Sequence, residues 1–128
     1  MRTLALDFGP VRTGVAVSDE TGTIARPLTV VPDAESATGL AAIAEVVAEQ
    51  GAAQVVVGVP VSLDAREREQ ARRARTFARR LEERLTVPVV TYDERFTTKV
   101  ARRRGGAGPL DARAAALILE DYLRARAT

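Results

Sequence analysis

The chain has 128 residues, 46% of them hydrophobic and 28% charged, with a formal net charge of +2. A chain of this length buries roughly 65–70% of the surface its unfolded form exposes, so residues 1–128 are expected to form one domain around an ordinary core. Neither cysteine nor histidine occurs, which excludes disulfides, thiolate metal sites, a cysteine nucleophile and a Ser-His-Asp triad; any catalysis falls to carboxylates, arginines or a metal.

Residues 3–7 and 14–18 read as two short strands joined by FGPVRT, where Gly9, Pro10 and Gly14 supply turn chemistry. Asp19-Glu20-Thr21-Gly22 marks a turn into a third strand through residues 23–31, with Pro27 suggesting an edge or bulged position. Ser36 can cap a helix over residues 37–49, where Leu40, Ile43, Val46 and Val47 repeat at helical spacing before Gly51 ends it. Val55, Val56, Val57 and Val59 form a β-branched run suited to a strand buried on both faces, stopped by Pro60. Asp64 then caps a long helix over about residues 65–85 with an apolar stripe of Ala71, Ala74, Phe77, Ala78, Leu81 and Leu85. Residues 88–92 give a fifth strand, residues 97–104 a short basic helix, and GGAGP at 105–109 a break. Asp111 opens a last helix whose apolar face is Ala114, Leu117, Ile118 and Tyr122. No apolar run approaches the roughly 18 residues of a membrane span and no signal-peptide pattern opens the chain, so a cytoplasmic location without membrane contact is expected.

The order βββ-α-β-α-β-α-α predicts an α/β fold: a meander followed by right-handed crossovers gives a mixed five-stranded sheet with helices on both faces. The ribonuclease H-like architecture shares that order, and the actin-like fold repeats a related unit twice.

Several carboxylates sit where local structure needs them least. Asp7 ends a central-looking strand, Asp93 and Glu94 follow the fifth strand in TYDERFTT, and Asp111 begins the last helix. In open α/β sheets functional groups collect beyond the carboxyl ends of the strands, which would make Asp7 and Glu94 neighbours. Converging carboxylates repel one another unless a cation lies among them, and all-oxygen ligands select Mg²⁺ or Mn²⁺. Such ions support phosphodiester hydrolysis without histidine. Each acid also has a plainer reading: Asp7 as a turn residue, one of Asp93 and Glu94 as a partner of Arg95 or of a helix terminus, and Asp111 and Asp64 as N-caps.

The basic residues are unevenly placed. Residues 1–60 hold three arginines against seven acids, a balance of −4, whereas residues 61–128 hold sixteen basic and ten acidic residues, a balance of +6. Residues 66–84 carry eight arginines against four glutamates, with Arg72, Arg73, Arg80 and Arg84 off the apolar stripe and Glu69 spaced to pair with Arg73. Arg95, Lys99, Arg102, Arg103 and Arg104 follow the acidic pair with no acid among them. A basic arm beside an acidic site suits nucleic acid, whose phosphates Arg12 could also hold. Phe8, Tyr92 and Phe96 adjoin the acids and read as strand-end packing or as surfaces for base stacking.

Four blocks, LALDFGPVRTGVAVSD, VVVGVPVSLDA, TYDERFTTKVA and LDARAAALILEDYL, resemble in order and spacing the YqgF-type (RuvX) nucleases, a family described as Holliday-junction-resolvase-like and as nucleases of pre-16S ribosomal RNA. The resemblance runs from residue 4 to residue 123, and DERFTT followed by the D-x-x-A-A helix is its most specific part. It implies a ribonuclease H-like fold and a divalent-metal nuclease, with Asp7, Glu94 and Asp111 as metal-binding and catalytic acids. Arg12 falls on the arginine of the family's glycine loop and Thr97 and Thr98 on its paired threonines; these residues, with Arg95, Lys99, Arg102, Arg103 and Arg104, are the expected nucleic-acid contacts. The chain departs from the family at Val11, where lysine is common, and at Ser62, Leu63, Asp64 and Ala65, where asparagine, methionine and Asp-Gly are common.

The expected activity is therefore metal-dependent endonucleolytic hydrolysis of structured RNA or branched DNA, in maturation of the 16S ribosomal RNA precursor or in junction resolution. Resolving a two-fold junction would suit a homodimer. The rival readings are a non-catalytic nucleic-acid-binding or ribosome-assembly factor on the same fold and an actin-like nucleotide-binding protein, the latter lacking a second domain to close over ATP.

Overall fold

The computed structural model describes residues 1–60, 64–94 and 110–127. Five strands form one sheet in the order β3-β2-β1-β4-β5. Strands β1 (Thr3–Asp7), β2 (Arg12–Ser18) and β3 (Ala25–Pro32) make an antiparallel meander. Strands β4 (Gln54–Val59) and β5 (Val89–Asp93) then add in parallel, β4 beside β1 and β5 beside β4. The carboxyl ends of β1, β4 and β5 thus share one edge of the sheet.

The meander carries two local devices. Strand β3 lies at the sheet edge, and its register with β2 shifts between the pairs Val15↔Thr29 and Ala16↔Pro27, leaving Leu28 as the extra residue of a bulge. Pro27, which has no N–H to donate, fits such an edge position. At the β2–β3 turn, Asp19 folds its carboxylate over the backbone, accepting from the N–H groups of Thr23 (2.9 Å) and Ile24 (3.0 Å) and from the Thr21 hydroxyl (2.6 Å). These bonds hold the Asp19 carboxyl down at about 2, below its ordinary 3.8.

Helices cover both faces. Helix α1 (Ala37–Gln50) starts at Ser36, whose hydroxyl accepts from the Gly39 N–H at 2.9 Å, and ends at Gly51 in the left-handed conformation (φ 63°). Helix α2 (Ala65–Arg84) starts at Asp64, whose carboxylate accepts from the Arg66 N–H at 2.7 Å. Both pack on one face, where Leu40, Ile43, Phe77 and Leu81 meet Leu4, Leu6, Val15, Val17, Val55, Val57 and Val59. Helix α3 (Leu110–Ala127) covers the other face, its Ala115, Ala116, Leu119 and Tyr122 against Ala5, Ala16 and Val56. The buried face of α3 is wider than the stripe expected from sequence: Ala115, Ala116 and Leu119 join it, and Leu117 is only half-buried. A helix laid across several strands needs that broader face. The expected short helix over 97–104 and the break at 105–109 lie outside the described residues. Among the described residues, no helix is long and apolar enough to cross a membrane.

Candidate active site

Side-chain alternation decides what each strand presents to α3. In β1, Ala5 faces α3, and so does Asp7, two residues on. Asp7 is 3% exposed, an unusual burial for a carboxylate. Its partner in β2 is Gly14, and continuing the Leu6↔Val57 register by one residue sets Gly58 of β4 on its other side. The aspartate is therefore flanked on both neighbouring strands by residues without side chains. Gly14 lies within β2, paired with Asp7 and Val30, and not in the turn expected from sequence.

Glu94 arrives at the same place from β5. Its N–H donates to the Val59 carbonyl at 2.8 Å, carrying the β4–β5 ladder one residue past the strand. Tyr92 and Val90 face α3, so alternation turns Glu94 to that face also, and Glu94 is 8% exposed. A Cβ built on Gly58 would stand 3.3 Å from Glu94 Oε2 and 2.7 Å from Ile118 Cδ1 of α3. The Glu94 carboxylate thus lies over Gly58, the residue beside Asp7. Asp93 has the opposite parity: it is exposed, pairs with Val59 and shares a face with Val89, which packs toward α1 and α2. The ambiguity between Asp93 and Glu94 is resolved in favour of Glu94 as the acid beside Asp7.

Helix α3 runs antiparallel to β4. Its Ile118 lies over Gly58 near the strand's carboxyl end, while Tyr122 lies at Gln54, the strand's start, accepting from the buried Gln54 amide. Its first turn, which carries Asp111, therefore comes at the edge where Asp7 and Glu94 stand. The Asp111 side chain lies outside the described residues, and among those described no three acidic side chains converge. Asp64 is exposed and acts as the cap of α2.

The loop before β2 is tightly drawn. A Cβ on Gly9 would meet the Arg12 carbonyl oxygen at 2.5 Å, and the Val11 carbonyl accepts from the Asp33 N–H at 2.9 Å. This sets Arg12, exposed, at the start of β2 on the parity of Gly14 and Ala16, the α3 face. Arg95, Thr97, Thr98, Lys99, Arg102, Arg103 and Arg104 lie outside the described residues, as does Phe96. Of the three aromatics beside the acids, Phe8 and Tyr92 are packing residues and not stacking platforms. Phe8 is buried against Phe77 with centroids 4.8 Å apart, and Tyr92 packs edge-on against Tyr122 at 5.4 Å while its hydroxyl donates to Asp121 at 2.8 Å. On α2, Glu69 pairs with Arg72, three residues after it, and not with Arg73 as its spacing suggested. Arg73 instead reaches Glu35 at 2.6 Å, because the loop before α1 places that acid beside it.

Sequence reasoning missed Gly14 and Gly58 as parts of the site. The available signal was a glycine inside a strand pattern, which marks close approach of another group. Chemically, the setting offers buried carboxylate oxygens beside two strand glycines in a chain without histidine or cysteine, which fits a hard divalent cation.

Comparison with known proteins extends this description. Residues 1–125 match the model of the family described as "RuvX: Holliday junction resolvase". A protein of Anaeromyxobacter dehalogenans named "Putative pre-16S rRNA nuclease" is 45% identical, with 99% of each chain covered. One of the same name from Syntrophus aciditrophicus is 40% identical, over 98% of this chain and 89% of that one. Among solved structures, T. thermophilus RuvC in complex with Holliday junction substrate superposes with a TM-score of 0.66 at 21% identity, covering 99% of this chain and 96% of that one. The fowlpox virus Holliday junction resolvase gives 0.57 at 11% identity, covering 98% and 99%. The fold is thus ribonuclease H-like, with the mixed five-stranded sheet expected from the element order.

Proposed function

The chain belongs to the RuvX family, and from that premise we propose that it is a divalent-metal-dependent endonuclease hydrolysing phosphodiester bonds in structured nucleic acid. The physiological substrates in this reading are the 16S ribosomal RNA precursor, by the names of its relatives, and four-way DNA junctions, by the description of its family. One observation carries the reading: Asp7 and Glu94 are both buried on the α3 face at the carboxyl edge of the sheet, with only glycine between them. Two buried carboxylates brought to one edge offer the oxygen ligands that a hard divalent cation selects.

Asp7, Glu94 and Asp111 would hold Mg²⁺ or Mn²⁺, and the ion, when bound, supplies an activated water and charge stabilisation at the leaving oxygen. The protein's own contribution is positional. The β1–β2 ladder holds the backbone of Asp7 and the bond to Val59 that of Glu94, so both side chains start from a fixed main chain. Arg12 would neutralise a phosphate at the rim, and Arg95, Thr97, Thr98, Lys99 and Arg102–Arg104 would hold the strand on either side of the cut. Antiparallel cuts on a two-fold junction would come from two copies of this chain in a symmetric dimer.

The test is cleavage of a 16S precursor transcript, a single-stranded RNA and a four-way DNA junction in Mn²⁺, comparing the wild type with Asp7→Asn and Glu94→Gln. Each substitution is expected to lower the cleavage rate at least a hundredfold while nucleic-acid binding persists. Cutting by Asp7→Asn at the wild-type rate would overturn the mechanism. Binding without metal-dependent cutting by the wild type would instead favour a non-catalytic assembly factor.

A further inference from the structure

Helix α2 carries more positive charge than its packing uses. Its buried stripe (Ala71, Ala74, Phe77, Ala78 and Leu81) faces the sheet. Two of its arginines on one flank are occupied within the protein: Arg73 pairs with the Glu35 carboxylate at 2.6 Å, and Arg80 donates to the Glu35 carbonyl at 2.6 Å. Arg68, Arg72, Arg75 and Arg79 form a different set. Their spacing of four, three and four residues places them within an arc of about 60° on the helix flank away from Arg73 and Arg80, roughly 130° from the centre of the buried stripe. All four are exposed. Arg72 contacts Glu69 and Arg79 contacts the Thr76 hydroxyl at 3.3 Å, both partners lying on the same helix, so among the described residues no neighbouring element draws the row toward the core.

The row also has a direction. Asp64 caps α2 soon after β4 ends, so α2 starts at the edge of the sheet where Asp7 and Glu94 stand and runs back from it. From Arg68 to Arg79 the row covers about 16 Å, near the length of five base-pair steps. We propose that Arg68, Arg72, Arg75 and Arg79 form a phosphate-binding track. It would hold the backbone of a nucleic-acid duplex leading away from the active-site edge, over the face opposite α3. The inference rests on the nuclease reading above and extends it to substrate lying beyond the cleaved bond. Guanidinium groups spaced along a rigid helix suit regularly repeated phosphates, and their contact carries no base preference.

The test is binding of a labelled 30-base-pair duplex, as RNA and as DNA, by fluorescence anisotropy in EDTA, where metal-dependent cleavage does not run. Arg75→Gln with Arg79→Gln is compared with Arg26→Gln and Arg124→Gln, which remove equal charge from exposed positions on β3 and α3. The track variant is expected to bind both duplexes more weakly and to lower the slope of log affinity against log salt by about 2, one contact per arginine. The charge-matched control keeps the wild-type slope. A wild-type slope in the track variant, or an equal loss in the control, overturns the track. Failure of the wild type to bind either duplex overturns the nuclease reading with it. All four positions are exposed and glutamine is a good helix former, so circular dichroism is expected to show both variants folded.

Discussion

At the scale of single residues, the site depends on side chains that are absent as much as on those present. Gly58 leaves the space into which the Glu94 carboxylate and Ile118 Cδ1 both project. Gly58→Ala puts a methyl group 2.7 Å from Ile118 Cδ1 and 3.3 Å from Glu94 Oε2, so both must give way. In a well-packed interior that costs about 1–3 kcal/mol. Truncating the conflicting atom separates the two consequences. Ile118→Val in the Gly58→Ala background is expected to restore part of the lost stability in urea denaturation, while cleavage stays depressed because Glu94 remains displaced. Restored activity in the double variant would show that Glu94 does not depend on this space. The same arithmetic explains which residues the sequence disclosed. Asp64 and Ser36 were legible as caps because capping is local chemistry. The roles of Gly14 and Gly58 were not, because they are set by an aspartate and a glutamate on other strands.

Among the elements, the β2–β3 hairpin is held by one carboxylate, and its contribution has a definite pH window. The Asp19 carboxyl titrates at about 2 in the folded protein against an ordinary value of 3.8, because the charged form accepts from Thr21, Ile24 and Thr23. A lowered folded-state pKa means that the unfolded chain takes up protons first as the pH falls. The stabilisation is therefore complete above about pH 4 and disappears as the pH falls toward 2. Asp19→Ala is expected to melt below the wild type at pH 6, with the difference narrowing by pH 2.5; a constant difference would mean that the carboxylate's charge is not what holds the turn. Element boundaries here follow from periodicity and caps, which is why β1, α1 and α2 were legible within a residue or two. The facing of Asp93 and Glu94 was not. It depends on which side of β5 the last helix covers, a contact made across the sheet by residues far along the chain. For the same reason the choice between packing and stacking at Phe8 and Tyr92 stayed open in the sequence, since their partners Phe77 and Tyr122 are distant along the chain.

For the whole molecule, the fold brings two buried acids to one edge of the sheet, where the proposed cation would bind. Helices on both faces bury the sheet; Val55, Val57 and Val59 of β4 fill the α1–α2 side, and Asp7 and Glu94 are the acids among the described buried residues. A cation would favour both carboxylates in their charged form, and sites shaped for function are a common source of instability. Asp7→Asn is expected to leave the metal-free protein at least as stable as the wild type, although it removes the proposed central ligand. Adding Mn²⁺ should reverse that order. A ligand that binds only the folded state at a hundred times its dissociation constant stabilises by about 2.7 kcal/mol. At this chain length 1 kcal/mol moves the melting temperature by roughly 3–5 °C. The wild type is therefore expected to gain on the order of 10 °C in saturating Mn²⁺, and Asp7→Asn a small fraction of that. Melting curves in EDTA and in a Mn²⁺ series measure both. An equal rise in the two proteins would place the ion elsewhere, and no rise in either would mean that the buried pair is held without a metal.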